Sequence, residues 1–315
     1  MRYRPLGHSG LLVSVVGLGC NNFGRRLDLA DTRRVLDAAI DAGVTLLDTA
    51  DTYGESEVLM GEALAGRRDA VVLATKFGHR SANLGYGAAA GAKGGRLYVR
   101  RAVENSLRRL RTDHLDLYQL HTPDPVTPLE ETLAALHELV VEGKVRYLGH
   151  SNFAGWQVAR ADHLARERGW TPFISAQNHY SLLERDVEAE VVPACAAYGV
   201  GMLPYFPLAN GLLTGKIRRG EGAPEGSRLR GRDDYVTDAK LDVVEALQAW
   251  GAAHGRSLLE IAVGALAAQP TVASVIAGAT RPEQVTANVA AGEWQPTPAD
   301  LAEIDAIAPA KRPAD

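Results

Sequence analysis

Cysteine is nearly missing from this chain of 315 residues, which holds only Cys20 and Cys195. Two thiols cannot build a disulfide framework, and these two have no metal-ligand spacing. Long apolar runs are missing too. No eighteen consecutive residues are apolar, and Met1-Arg2-Tyr3-Arg4-Pro5 lacks the apolar centre of a secretory leader. A large charge of one sign is also absent. The 34 basic and 38 acidic side chains leave a net −4, which gives a nucleic-acid partner no electrostatic support. The nine histidines contain no His-x-His pair of the kind that barrel metallohydrolases use, so no metal is expected. Secreted, membrane-spanning, disordered and fibrous classes are set aside. A cytoplasmic protein with neither nucleic acid nor membrane as partner is expected.

What is present is a repeating pattern. With 46% apolar and 23% charged residues the composition is that of a folded globular protein, and its wealth of Ala, Gly and Arg suggests a GC-rich bacterial genome. Two short segments, 3–6 and 12–14, flank the turn Gly7-His8-Ser9-Gly10 and read as a hairpin. Apolar runs follow at 15–18, 44–47, 71–74, 115–120, 145–149, 173–176, 200–203 and 272–276. Their near-continuous apolarity suits strands covered on both faces. Between them lie helical periodicities at 31–41, 56–65, 98–110, 128–141, 154–168, 186–197, 239–253 and 282–290, with an extra one at 257–268. Such alternation allows an open doubly wound sheet or a closed (β/α)8 barrel, and periodicity alone does not choose between them. Segments 77–95 and 208–236 are too poor in periodicity for helices and too long for plain connectors, so they read as binding loops.

Position marks the chemistry. Asp48 ends the second run, Lys76 follows the third, His121 the fourth, Ser151-Asn152 the fifth, Gln177-Asn178 the sixth, and Tyr205 and Pro207 the seventh. Polar groups at the C-terminal ends of successive parallel strands converge on one mouth, where barrel enzymes keep their reactive groups. A single polar residue after a strand is an ordinary turn residue. A Lys, an Asp and a His arriving together are not explained that way. Tyr53, five residues beyond Asp48, reaches the same mouth. A Lys beside a phenol favours the phenolate, so Lys76 is expected to lower the Tyr53 pKa and make it a general acid for an alkoxide formed by hydride addition.

These residues sit in segments that resemble the aldo-keto reductase family: Leu47-Asp48-Thr49-Ala50-Asp51-Thr52-Tyr53-Gly54, Ala74-Thr75-Lys76-Phe77-Gly78 and Asp116-Leu117-Tyr118-Gln119-Leu120-His121. Further matches are Gly149-His150-Ser151-Asn152-Phe153, Gln177-Asn178, Pro207-Leu208 with Gly211 to Lys216, and Ile276-Ala277-Gly278 leading to Gln284 and Asn288. Their order over nearly the whole chain makes the likeness specific. It implies a single (β/α)8 barrel domain over 1–315 with an N-terminal hairpin and extra helices, using NADPH to reduce a small-molecule carbonyl. It also implies Tyr53 as proton donor, Lys76 and Asp48 as its tuning pair, and His121 as the group that orients the carbonyl.

For the cofactor, the resemblance implies Cys20 and Asn21 near the nicotinamide, Ser151, Asn152 and Gln177 on its carboxamide, and Tyr205 stacked on its ring. Phe206, Pro207, Leu208, Gly211 and Lys216 would follow the pyrophosphate. Gly278, Thr280, Arg281, Gln284 and Asn288 would enclose the adenosine end, with Arg281 suited to a 2′-phosphate. Two departures stand out: Phe206 where the family usually has Ser, and Ala287 where an acidic residue is common. Phe23, Tyr53 and Phe77 are expected to line the substrate pocket, and His150 and His179 to lie near the mouth. Gly17-Leu18-Gly19-Cys20-Asn21-Asn22 mimics a dinucleotide fingerprint but lacks its third glycine. No Tyr-x-x-x-Lys pair suggests a short-chain dehydrogenase. A rival from another class is a cofactor-binding, redox-sensing regulatory subunit with little turnover.

Overall fold

The computed structural model describes residues 1–221, 224, 227–232 and 234–310, so the last residues of the expected domain and parts of the second long loop lie outside it. After the hairpin strands β1 (Tyr3–Pro5) and β2 (Leu12–Ser14), eight parallel strands follow. They are β3 (Val16–Gly19), β4 (Leu46–Asp48), β5 (Val72–Phe77), β6 (Leu115–Leu120), β7 (Val145–Ser151), β8 (Phe173–Gln177), β9 (Gly201–Met202) and β10 (Val275–Gly278). From β3 to β9 each pairs with the next in sequence, and β10 pairs with β3. The remaining seam is stitched by Met202 N–H to Thr271 O (2.7 Å), Ala273 N–H to Met202 O (3.0 Å) and Ile276 N–H to Pro204 O (3.0 Å). The sheet is thereby a (β/α)8 barrel, which decides between the two topologies that periodicity left open.

The helices are α1 (Leu29–Asp41), α2 (Ser56–Ala63), α3 (Arg96–Leu110), α4 (Leu129–Val141), α5 (Gly155–Arg168), α6 (Val191–Tyr198), α7 (Asp238–His254), α8 (Leu258–Ala267), α9 (Pro282–Glu293) and α10 (Pro298–Ile307). They form the outer ring, and the apolar layer between helices and strands is the main core. Expected and observed bounds differ where local chemistry intervenes. Residues 186–188 form a separate 3₁₀ turn before α6, and β10 begins later than the apolar run because Val272 makes only a single bridge to Met202. None of the helices among the described residues is long and apolar enough to cross a membrane.

Strand side chains alternate between the barrel interior and the helix layer. Leu46, Ala74, Leu117 and Ile276 point inward and form a small apolar cluster with Leu6 and Leu203 at the lower level. Two residues further along each strand, the same inward face carries Asp48, Lys76, Gln119 and Gly278. The period of two therefore lifts polar groups to the upper level of an otherwise apolar interior. The hairpin closes the lower end. Leu6 is fully buried there, and at Gly7 (φ +58°) a Cβ would stand 2.5 Å from Ile174 O and 2.6 Å from Gly199 O, so only glycine fits.

Candidate active site

Lys76 is fully buried, and its Nζ donates to Asp48 Oδ2 at 2.6 Å and to Thr49 O at 2.8 Å. A buried charge pair needs its remaining valences filled to avoid a net cost. Here Asp48 Oδ1 accepts from Gln177 Nε2 at 2.9 Å and from Gln119 Nε2 at 3.2 Å. This layer needs room: at Gly149 a Cβ would lie 2.2 Å from Ser175 Oγ and 3.0 Å from Gln119 Cγ. Burial pulls the Lys76 ammonium down, but Asp48 and then Tyr53 outweigh it and hold its pKa above the ordinary value.

The Tyr53 ring centre lies 5.1 Å from Lys76 Nζ, and the His121 ring meets Tyr53 edge-on at 5.8 Å between centroids. The structure corrects one expectation here. The Tyr53 pKa is raised, not lowered, because loss of water around the phenol outweighs the pull of Lys76. Tyr53 is thus held in its protonated form. Burial, Lys76 and His79 together lower the His121 pKa to about 2, so its imidazole is neutral. His121 Nδ1 is buried without a partner, which leaves Nε2 as the nitrogen open to the cavity.

Above these groups opens a cavity of about 1040 Å³, at the upper end of the range of small-molecule sites. Every residue that the sequence placed at a cofactor lines it: Cys20, Asn21, Ser151, Asn152, Gln177, Tyr205, Phe206, Pro207, Leu208, Gly211, Lys216, Gly278, Thr280, Arg281, Gln284 and Asn288, and Asp48, expected at the cofactor as well as beside Lys76, lines it too. Tyr53 and His121 line it as well, while Lys76 lies beneath the wall. Ser151 Oγ donates to Gln177 O (2.7 Å), Asn152 Nδ2 to His121 O (2.9 Å), and Tyr205 Oη to Asn152 Oδ1 (2.9 Å), so strands β6 to β9 are laced together at the mouth. Tyr205 is covered on one face by His179, stacked at 5.4 Å and 8°.

A model of the Aldo/keto reductase family matches residues 15–309. This chain belongs to that family. It is 37% identical over 303 residues to the oxidoreductase YrpG of Bacillus subtilis, covering 93% of this chain and 91% of the relative. The aldo-keto reductase YhdN of Bacillus subtilis is 34% identical, with 98% and 93% of the two chains covered. A probable voltage-gated potassium channel subunit beta of Oryza sativa subsp. japonica is also 34% identical, over 99% of this chain and 98% of its own.

In this aldo/keto reductase family member, three aromatic or imidazole groups expected near the pocket are elsewhere. Phe77 follows the inward-facing Lys76, so the strand period turns it outward, where it stacks on Tyr118 at 4.7 Å. Phe23 is fully buried in the main core. His150, between inward-facing Gly149 and Ser151, points into the helix layer against Phe153 (4.3 Å) and Phe173 (5.3 Å), and neither ring nitrogen has a partner. Its burial lowers the pKa to about 3.

Other lining residues were not named from the sequence: Arg26, and His79 and Arg228, which lie in the two long segments expected to form binding loops. Arg228, from the second long loop, donates Nη2 to Asn21 Oδ1 (2.6 Å) and Asn22 Oδ1 (3.0 Å) and lies 5.6 Å over the Phe206 ring. Burial and then Arg26 lower its pKa. None of Arg26, Lys216, Arg228 and Arg281 forms an ion pair among the described residues, although all four line the cavity. At the same end, Arg281 precedes α9 with no side-chain cap on the first-turn amides, and the buried amide of Asn288 makes no hydrogen bond among the described residues.

Proposed function

We propose that this protein is an NADPH-dependent reductase of aldehydes and ketones, acting in the cytoplasm on a small-molecule carbonyl, with Tyr53 as the proton donor. One observation carries the reading: Tyr53 stands over the buried Lys76–Asp48 pair of 2.6 Å, edge-on to His121, on the floor of a large cavity.

The residues present fit the cofactor. Four cations without acidic partners among the described residues suit a ligand that brings its own negative charges, and a nucleotide with a pyrophosphate and a 2′-phosphate does so. The uncapped start of α9 offers backbone N–H groups and the positive end of a helix to one phosphate. Arg281 there supports a preference for NADPH over NADH. Lys216 and Arg228 would face the pyrophosphate, the unpaired Asn288 amide and Gln284 the adenosine, and the uncovered face of Tyr205 the nicotinamide. When bound, the reduced nicotinamide supplies a hydride to the carbonyl carbon.

The protein's own groups do the rest. His121 offers Nε2–H to the carbonyl oxygen without carrying charge, which polarises the bond and fixes its direction. Tyr53 gives its proton to the oxygen that becomes the alcohol, a step that typically contributes about 10² to 10⁴ in rate. The phenolate left behind faces the Lys76 ammonium, whose charge Asp48 holds in place. Burial keeps Tyr53 protonated before the reaction and Lys76 stabilises it afterwards, so the two opposed influences on its pKa act at different moments.

The test is a fluorescence titration with NADPH and NADH, followed by loss of NADPH absorbance with a reactive aromatic aldehyde. Tighter NADPH binding and aldehyde-dependent oxidation are expected. The channel-subunit relative supports a second reading, a cofactor-binding regulatory protein with little turnover. Tight NADPH binding without oxidation across a broad panel of carbonyls would favour that reading instead. Failure to bind either nucleotide would sink both.

A further inference from the structure

Tyr205 lines the cavity, and a titratable ring stands behind it. Beyond β8 and β9 the chain pairs His179 with Tyr205 in a parallel bridge: Tyr205 N–H donates to Asn178 O at 3.1 Å, and Tyr180 N–H to Tyr205 O at 3.4 Å. Residues paired in this way lie about 4.8 Å apart with their side chains on one face, so two flat rings are set to stack. They do, 5.4 Å between centroids and within 8° of parallel. Phe206 meets both edge-on, 5.2 Å from Tyr205 and 5.8 Å from His179, and Asn152 Oδ1 fixes the Tyr205 hydroxyl. Of these three supports of Tyr205, only His179 can change its charge. Its Nε2 is buried with no hydrogen-bond partner among the described residues. Burial lowers the His179 pKa below its ordinary value; Glu184 and Asp186 oppose the shift and Lys240 adds to it. Glu184 and Lys240 are themselves joined at 2.7 Å. The imidazole is thus neutral at pH 7 and takes up a proton in acid. Tyr205 stays a neutral phenol, its pKa raised by burial and then by Tyr53 against the pull of Lys76.

We propose that His179 is a positioning residue that acts through Tyr205: neutral, it holds the phenol ring flat for the nicotinamide, and protonated, it weakens binding of the oxidised cofactor relative to the reduced one. The inference deepens the reductase reading and rests on the nicotinamide lying against the uncovered face of Tyr205. A nicotinamide ring is positively charged when oxidised and uncharged when reduced. A proton on His179 sets a like charge on the far side of one aromatic ring, which repels the first form and not the second. The negative face of the Tyr205 ring also attracts a cation, and an imidazolium behind it competes for the same ring. The coupling is reciprocal, so the oxidised cofactor lowers the His179 pKa by as much as the proton lowers the cofactor's affinity. The proton and hydride transfers remain those described above.

The experiment measures Kd for NADP⁺ and for NADPH at pH 8 and pH 5.5, by quenching of the protein's own fluorescence, and follows the ratio of the two constants. Both nucleotides carry the same phosphates, so titration of those groups and of the cations around them cancels in the ratio. His121, with its pKa near 2, stays neutral throughout this window. From pH 8 to pH 5.5 the ratio Kd(NADP⁺)/Kd(NADPH) should rise about three- to tenfold, the scale of two like charges separated by an aromatic ring near a protein surface. His179→Phe, which keeps the stack and cannot take a proton, should bind both nucleotides as the parent does at pH 8 and hold the ratio constant with pH. His179→Ala, which loses the stack as well, should bind both about fivefold more weakly, again with a constant ratio. A ratio independent of pH in the unaltered protein, a rise that persists in His179→Phe, or undiminished affinity in His179→Ala overturns the inference while leaving the reductase reading standing. Failure of the unaltered protein to bind either nucleotide overturns the reductase reading and the inference with it.

Discussion

The floor and the roof of the cavity treat charge in opposite ways. On the floor, Asp48, Lys76, Gln119 and Gln177 are buried on strands β4, β5, β6 and β8, and both oxygens of Asp48 accept hydrogen bonds from the protein. Around the roof, Arg26, Lys216, Arg228 and Arg281 sit on loops or at a helix start, exposed or half-buried, with no acidic partner among the described residues. A charge compensated by the fold is fixed before any ligand arrives. A charge left uncompensated is completed only by a ligand of opposite sign. Damage to the floor should therefore appear in rate, and damage to the roof in affinity.

The sharpest way to break this division is at Tyr53. Tyr53→Phe removes the acid and leaves the cations in place, so turnover should fall at least about 10²-fold while NADPH affinity in a fluorescence titration stays nearly constant. Near-normal turnover would mean that the floor does not supply the proton. Next comes the roof: Arg281→Ala should weaken NADPH by about 1.5–3 kcal/mol, roughly 10- to 150-fold, with little change for NADH. Equal losses for both nucleotides would detach Arg281 from the 2′-phosphate.

Two smaller effects sharpen the contrast between satisfied and unsatisfied buried groups. His150 has a folded pKa lowered to about 3, against about 6.5 unfolded, so its contribution to stability is full above pH 6.5 and is lost as pH falls toward 3. His150→Leu should therefore lose about 2 kcal/mol less than the parent between pH 7 and pH 5, read from denaturant midpoints. An identical pH slope in both proteins would show that this ring does not titrate in that window. Asp51 behaves in the opposite sense. Burial, then Glu57, raise its carboxyl to about 7, and neither oxygen has a partner. Its stability contribution is full below the unfolded value near 3.9 and fades as pH rises through about 7. Asp51→Asn should accordingly stabilise by about 1–2 kcal/mol at pH 8 and by much less at pH 5, with thermal unfolding at the two pH values as the check.

The alternation of strands and helices was legible because its two periods are written plainly in the chain, although only the family resemblance chose the barrel over an open sheet. The floor was legible too, because its residues end the strands. What was misread follows from the same periods. Phe77 and His150 neighbour inward-facing residues, and alternation sends such neighbours outward; reading their proximity to Lys76 and Ser151 as proximity to the pocket ignored that rule. Helix α10 carried a readable start, since Thr297 caps Asp300 N–H, Asp300 caps Thr297 N–H, and Pro298 occupies the first turn. Its weak apolar periodicity hid it. Arg26, His79 and Arg228 could not be singled out, although the last two lie in segments read as binding loops. They lie in loops without period, and only the closed barrel brings Arg228 to Asn21 across more than two hundred residues of sequence. The Tyr53 shift was missed for another reason: a sequence shows the neighbouring cation but not the missing water.

The plug formed by Leu6 and Gly7 at the lower end makes the barrel a blind well. Among the described residues the end opposite the mouth is packed with buried side chains, so whatever enters the cavity leaves by the door it came through. In the proposed reductase, the occupant nearer the floor cannot depart until the one above it has gone. The queue discipline of the proposed reaction is thus set by an apolar layer, the hairpin's Leu6 included, that takes no part in its chemistry.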